Sequence, residues 1–251
     1  QSFTKGAFDN YDIVLCNGQY QVDEIKFREN QNNLPKKKLI LTGHFYFDYL
    51  LKKINFKSVA DEILIAPSWN YKYKNYINEN IINLIDELLK KNYKVTFRPH
   101  PEHYKRSKKI LKIINEKFYV HKSFRFDDDL ENIKSMERAK CLITDTSDIC
   151  LEFTILFNRP VLYLDGVDKI HNENFSDFKN FIPIERSFKN NFGSIILEKD
   201  LSNINVLVED SIKNFRLKIP ELNSFKNKYY FNFGKTIDEF EKIWEDEILK
   251  S

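Results

Sequence analysis

The feature that most constrains this chain is an alternation. Short apolar runs trade places with segments whose apolar residues recur at helical spacing, and the connections are short. Asp12 to Cys16, Lys38 to Thr42, Glu62 to Ala66, Lys94 to Arg98, Phe118 to His121, Cys141 to Thr144 and Val161 to Leu164 read as strands. Asn78 to Lys90 reads as a helix, with Ile81, Ile82, Leu84, Ile85, Leu88 and Leu89 on one face. Tyr104 to Asn115, Leu130 to Ala139, Ile149 to Phe157, Val206 to Phe215 and Thr236 to Leu249 read as helices too. Strand alternating with helix predicts an α/β fold, a parallel sheet covered on both faces. After Phe188 the pattern weakens.

Composition bounds the reading. With 251 residues there is room for one large domain, or one domain and part of another. The net charge of +3 is too small to imply nucleic-acid binding. Basic residues cluster at Lys36 to Lys38, Lys90-Lys91, Lys105-Arg106 and Lys108-Lys109. These are solvated faces or, alternatively, a surface for anionic lipid or an anionic polymer. Cys16, Cys141 and Cys150 lie in apolar runs without metal-ligand spacing, as buried thiols of a reducing compartment do. The first ten residues lack a signal-peptide pattern, and no run of about 18 apolar residues is present. The chain has no initiator Met, so a fragment of a longer protein is expected.

In parallel sheets, ligands sit outside the carboxyl ends of the strands. The unusual polar residues gather at those ends. Thr144, Asp145, Thr146, Ser147 and Asp148 stand where a strand hands over to a helix. Ser147 or Thr146 falls near the helix N-cap, and free amides with a partial positive charge suit a phosphate there. An ordinary capped helix start is the plainer alternative. Asp145 and Asp148 oppose a bare anion site, and can instead cap backbone amides. Glu152, one turn on, can accept from ribose hydroxyls or pair with a lysine. In Arg98-Pro99-His100-Pro101 two prolines restrict the backbone around a histidine able to donate to phosphate or act as acid or base. His103 reads as a surface residue; His44, His121 and His171 belong to no constellation.

Four segments together resemble one family: Leu41-Thr42-Gly43-His44 to Asp48, Leu64 to Trp69, Phe97 to Pro101, and Leu142 to Ser147 continuing to Glu152-Phe153 and Arg159-Pro160. Tyr230 to Lys235 adds a closing segment. The chain resembles the CDP-glycerol:poly(glycerol phosphate) glycerophosphotransferases of teichoic acid and capsule synthesis. The resemblance implies a Rossmann-like parallel sheet of glycosyltransferase-B type, mostly its C-terminal half. It implies residues 1–50 as the tail of an N-terminal domain, 51–235 as the donor-binding domain and 236–251 as a closing helix. It implies His100 as catalytic through the donor phosphates, and Arg98, Ser68, Asp145, Thr146, Ser147 and Glu152 as donor-binding. The resemblance implies an enzyme, a transferase moving glycerol phosphate or a related polyol phosphate from a CDP-activated donor to a hydroxyl of a growing cell-surface polymer; the family's other catalytic histidine, in a His-Gly motif, has no match here, so the N-terminal catalytic half is expected to lie outside this stretch. Thr146 stands for an aromatic, Asp148 for a second Ser, and Phe45-Tyr46 for Pro-Arg.

The implied partners are CDP-glycerol or a related CDP-alcohol, an anionic polyol-phosphate or glycan acceptor, and a peripheral membrane surface; no nucleic acid, metal or cofactor is implied. A cytoplasmic location at the inner face of the cell membrane goes with that role. The rival readings are a nucleotide-sugar glycosyltransferase or epimerase of the same fold, and a non-catalytic donor- or polymer-binding module.

Overall fold

A computed structural model describes residues 3, 4, 6–69, 75–129, 131–165, 167, 172, 175–178 and 180–249. Along the chain run β1 (Ile13–Cys16), α1 (Gln19–Asn32), β2 (Lys38–Leu41), α2 (Phe45–Lys53), β3 (Glu62–Ile65), α3 (Glu79–Lys90), β4 (Lys94–Phe97) and the single turn α4 (His103–Arg106). There follow α5 (Lys108–Phe118), β5 (Phe124–Phe126), α6 (Ile133–Arg138), β6 (Ala139–Thr144), α7 (Asp148–Phe157) and β7 (Val161–Leu164). The last elements are α8 (Ile184–Phe192), β8 (Gly193–Ile196), α9 (Ile204–Leu217), α10 (Ile219–Tyr229) and α11 (Thr236–Trp244). They form two compact units, one of residues 1–53, 170–187 and 220–251, the other of 54–169 and 188–219.

The first unit holds the parallel pair β1–β2, with Ile13 opposite Lys38 and Cys16 opposite Leu41. Cys16, Val22 and Ile25 form its small core, flanked by Val14, Leu39 and Phe231. Its sequence motif has a structural reason. Gly43 has φ +112°, and a Cβ there would lie 2.4 Å from Thr236 Oγ1 and 2.6 Å from the Phe231 carbonyl. Asp48 is buried, and its carboxylate accepts the Gly234 amide at 3.0 Å and the Ile237 amide at 3.1 Å. The Ile237 amide belongs to the first turn of α11, where the helix cannot pair it itself, and the Gly234 amide lies in the loop just before. The Gly43–Asp48 segment and the closing segment 230–235 are thus one contact.

The second unit is a six-stranded, wholly parallel sheet in the order β5-β4-β3-β6-β7-β8. The chain builds outward from β3 to β5, returns to place β6 beside β3, and builds outward the other way. Between β3 and β6 the strand order reverses, and crevices open at such a point. Ile63, Ile65, Phe97, Ile143 and Leu162 are buried strand residues of one core, joined by Ile85 and Leu88 of α3 and Val208 of α9. Asn78 caps α3 by accepting the Asn80 amide at 2.9 Å. At the end of α7, Asn158 takes the left-handed conformation (φ 54°). Arg159 then donates to the carbonyls of Met136, Glu137 and Ala139 at 3.1, 2.8 and 2.7 Å, around the end of α6. That contact accounts for Arg159-Pro160.

One expectation needs correction here. Phe118 to His121 is not a strand: Phe118 ends α5, Tyr119 and Val120 are exposed, and the edge strand is Phe124–Phe126. The apolar cluster marks a helix end, where one buried ring suffices. Helices α1, α2, α8 and α10 and strand β8 were not expected. All three cysteines are buried thiols. Burial pushes Cys16 and Cys150 up to about 11 and Cys141 up to about 12. No helix among the described residues is long and apolar enough to cross a membrane.

Gly43→Ala combines a left-handed backbone with two close contacts, and should lower stability by about 2–4 kcal/mol in urea unfolding. A loss below about 0.5 kcal/mol would contradict the packing described.

Candidate functional site

The site is built where β3, β4, β5 and β6 end. Thr144, the last residue of β6, donates to the Ala66 carbonyl at 2.6 Å, so the loops after β3 and β6 are joined at their root. Asp145 follows and is 1% exposed. Its Oδ1 accepts the Ser68 amide at 2.8 Å and its Oδ2 accepts the Ser68 hydroxyl at 3.0 Å. The carboxylate is directed at the Ser68 loop across the strand reversal. A buried charge needs such partners, and this one uses a backbone and a side-chain donor together.

Ser147 is the N-cap of α7 in extended backbone (φ −158°), and its hydroxyl caps no amide of the helix. The hydroxyl instead lies 3.4 Å from Thr144 Oγ1 and from the Asp145 carbonyl. Thr146 Oγ1 donates to the Val167 carbonyl at 3.4 Å. The α7 amides are thus left to the backbone, with Ser147 beside them. Asp148 stands exposed in the first turn, where its charge favours the helix and disfavours an anion. Glu152, one turn on, accepts from Asn132 Nδ2 at 3.4 Å. Burial raises its carboxyl above the usual range, the Asn132 bond opposes this and Asp148 adds to it.

Across the switch point, Arg98 leaves β4 and pairs with Asp127 at 3.0 Å. Asp127 sits just past β5 and also accepts from the Ser135 hydroxyl and the Asp129 amide. Burial pushes this carboxyl up, but Ser135, the Asp129 amide and Arg98 together outweigh it, and the net direction is down. Arg98 thereby holds the loop rather than facing outward alone. His100 is exposed, and its Nδ1 accepts the Glu102 amide at 3.2 Å. An imidazole that accepts through Nδ1 carries its proton on Nε2, so His100 presents an N–H donor.

His103, expected at the surface, is 0% exposed. Its Nδ1 lies 3.0 Å from Ser107 Oγ and its Nε2 3.4 Å from the Ser68 carbonyl, with its ring edge-on to Trp69 at 5.1 Å. The pair His103–Ser107 spans one turn, which puts both polar groups on the inner side of α4. The structure thus brings Ser68, Asp145, Ser147 and His103 into one hydrogen-bonded knot. Arg98 and Glu152 anchor to Asp127 and Asn132 on either side of it. Asp127 and Asn132 were missed by sequence reasoning, where the only hint was the acidic run Asp127 to Asp129 after Phe-Arg-Phe; His103 was the weaker histidine candidate, placed at the surface, and it is buried. His171 lies outside the described residues. Among those residues, no three His, Cys, Asp or Glu side chains could hold a metal ion together.

Comparison with known proteins adds the following. Residues 38–183, more than half of the chain, match the family described as CDP-glycerol:poly(glycerophosphate) glycerophosphotransferase. Among curated proteins, none matches the chain in sequence. In fold it is similar to the wall teichoic acid polymerase TagF (17% identity, TM-score 0.51, 94% of this chain and 58% of that one). It is likewise similar to the UDP-GlcNAc 2-epimerase of Methanocaldococcus jannaschii in complex with UDP-GlcNAc and UDP (15%, 0.51, 93% and 61%). A putative UDP-N-acetylglucosamine 2-epimerase of Listeria monocytogenes gives 11%, 0.55, 96% and 61%. The fold is accordingly of the glycosyltransferase-B type, and the chain spans about three fifths of these relatives' length.

Asp127 carries a folded-state pKa below its unfolded value. Its contribution is therefore present above the ordinary carboxylate pKa and lost as pH falls through the lowered one. Asp127→Asn should cost about 1–3 kcal/mol at neutral pH and flatten the loss of stability below about pH 4. Parallel acid-unfolding curves for the two proteins would contradict this.

Proposed function

Because the chain belongs to the CDP-glycerol:poly(glycerophosphate) glycerophosphotransferase family, we propose that its second unit binds a CDP-activated alcohol, with the pyrophosphate at the start of α7. The observation that carries the reading is the Asp145–Ser68 clamp. It turns the carboxylate away from the α7 amides and leaves Ser147 beside them, at the strand reversal where parallel sheets open a crevice. The family match favours a CDP-alcohol over the nucleotide sugar of the epimerase reading.

In this account the backbone amides at 147–149 and the Ser147 hydroxyl hold the pyrophosphate, and Thr146 fixes the turn. Glu152 receives the ribose hydroxyls as an acceptor. Ser68, Asp145 and Arg98 act by holding the loops, and His100 donates its Nε2–H to a donor phosphate. The transfer forms a bond from an acceptor hydroxyl oxygen to the β-phosphorus and breaks the bond from that phosphorus to the bridging oxygen. The hydroxyl proton goes to a general base, the role that the resemblance gives to the His-Gly histidine without a match in this chain, and CMP leaves with the electron pair. Negative charge grows on the departing phosphate, where fixed donors and a helix N-terminus stabilise it most. The acceptor is a hydroxyl of a polyol-phosphate or glycan polymer, which places the work at the inner face of the membrane.

Calorimetric titration with CDP-glycerol, CDP-ribitol, CMP and UDP tests this. A CDP ligand should saturate the chain, and Ser147→Ala or His100→Ala should each weaken it by about 10–150-fold, as loss of a hydrogen bond to a charged group does. A folded chain that binds none of these nucleotides contradicts the reading. Asp148→Ser removes a charge from the α7 start and should tighten CDP-glycerol by about 2–5-fold while slightly weakening the helix; unchanged or weaker binding would place the phosphates elsewhere.

A further inference from the structure

Two histidines stand on the loop after β4, and they face opposite environments. His100 is exposed and His103 is buried. The turn between them is closed by its own hydrogen bonds. The His103 amide donates to the His100 carbonyl at 2.9 Å, and the Glu102 amide donates to His100 Nδ1 at 3.2 Å. Pro101 fixes one of the backbone angles within it. Holding His103 in place therefore holds the His100 ring as well.

The partners of His103 fix where its proton sits. The Ser68 carbonyl can only accept, so Nε2, 3.4 Å away, carries the hydrogen. In the neutral ring Nδ1 then accepts from the Ser107 hydroxyl at 3.0 Å, and Ser107 Oγ accepts from Asn75 Nδ2 at 3.4 Å. The result is a directed chain from Asn75 through Ser107 and His103 to Ser68. Ser107 is the N-cap of α5, yet its side chain caps no amide of that helix. It gives up the ordinary use of a capping serine and holds the imidazole instead.

Ser68 is thereby gripped from both sides. Asp145 takes its amide and hydroxyl, and His103 takes its carbonyl. Asp145 stands two residues before Ser147 at the start of α7, and His103 stands three residues after His100. The two halves of the phosphate site proposed above, His100 and the α7 start, are related through this one serine. The link on the His100 side is the hydrogen bond from His103.

We propose that His103 is a positioning residue. Through its Nε2–H on the Ser68 carbonyl it sets the His100 donor at a fixed place relative to the start of α7, without touching the ligand itself. That this placement serves phosphate binding rests on the donor reading above. That His103 orders the His100 turn against the Ser68 loop does not.

The test compares His103→Gln with His103→Asn in the 251-residue chain. A glutamine carboxamide reaches the place of Nε2 and still donates to Ser68, whereas asparagine reaches only the place of Nδ1. The first readout is hydrogen exchange without ligand. In His103→Asn the Glu102 and Ser68 amides should exchange about 10-fold faster or more, while those of Leu64 in β3 and Ile143 in β6 keep their rates, and His103→Gln should restore the protection. Long-range 15N–1H spectra of the unaltered chain should show His103 protonated on Nε2. The second readout is calorimetry with CDP-glycerol. His103→Asn should weaken it by about 3–10-fold and His103→Gln by less than about 2-fold, and His100→Ala should cost less affinity beside His103→Asn than alone. Equal exchange in the two variants, core amides that speed up as much as Glu102 and Ser68, or an Nδ1–H tautomer overturns the positioning role. So does CDP-glycerol binding that His103→Asn leaves unchanged. If the unaltered chain binds no CDP-glycerol, the donor reading falls, and the exchange rates and the tautomer still decide the role of His103.

Discussion

The arrangement depends on one buried carboxylate. Asp145 is 1% exposed, and without donors such a group costs several kcal/mol. The Ser68 amide and hydroxyl supply them from the loop after β3, while Thr144 Oγ1 ties the same loop through Ala66. His103 reaches the Ser68 carbonyl from the loop after β4. Three strand ends are therefore fixed to one another by these hydrogen bonds. The consequence is at α7: the neighbouring carboxylate is bound to the Ser68 loop and caps no amide of the helix start, as the proposed phosphate site requires.

The first unit uses the same device in another place. Asp48 accepts two backbone amides around the start of α11, and Gly43 permits an approach that any side chain would block. In both units an aspartate of a sequence motif is directed at main-chain N–H groups. Motif residues of this kind act by fixing loops. Arg98 on Asp127 and Arg159 on the α6 carbonyls extend the pattern to cations. The residues proposed to touch a ligand are fewer: His100, Ser147 and Glu152.

The parallel sheet was legible because β3, β4, β6 and β7 are continuous apolar runs, and α3 because its apolar stripe repeats at helical spacing. The edges were less so. β5 and β8 are half-covered strands whose composition differs little from a helix end or loop, and α1 carries its buried residues among charges such as Glu24 and Arg28. At the site, the hydroxyl-rich step after β6 and the Arg98–Pro101 loop announced themselves by residue type. The direction in which Asp145 turns, and the burial of His103, depend on partners more than thirty residues away. No local pattern encodes them.

The most direct measurement is a double-mutant cycle on Ser68→Ala and Asp145→Asn, read both in unfolding free energy and in CMP affinity. The account predicts coupling of about 1 kcal/mol or more in stability, with each single variant weakening CMP although neither is placed on the nucleotide. Additivity within about 0.3–0.5 kcal/mol, or an Asp145→Asn variant that binds CMP as tightly as the unaltered chain, would contradict the claim that this clamp builds the phosphate site.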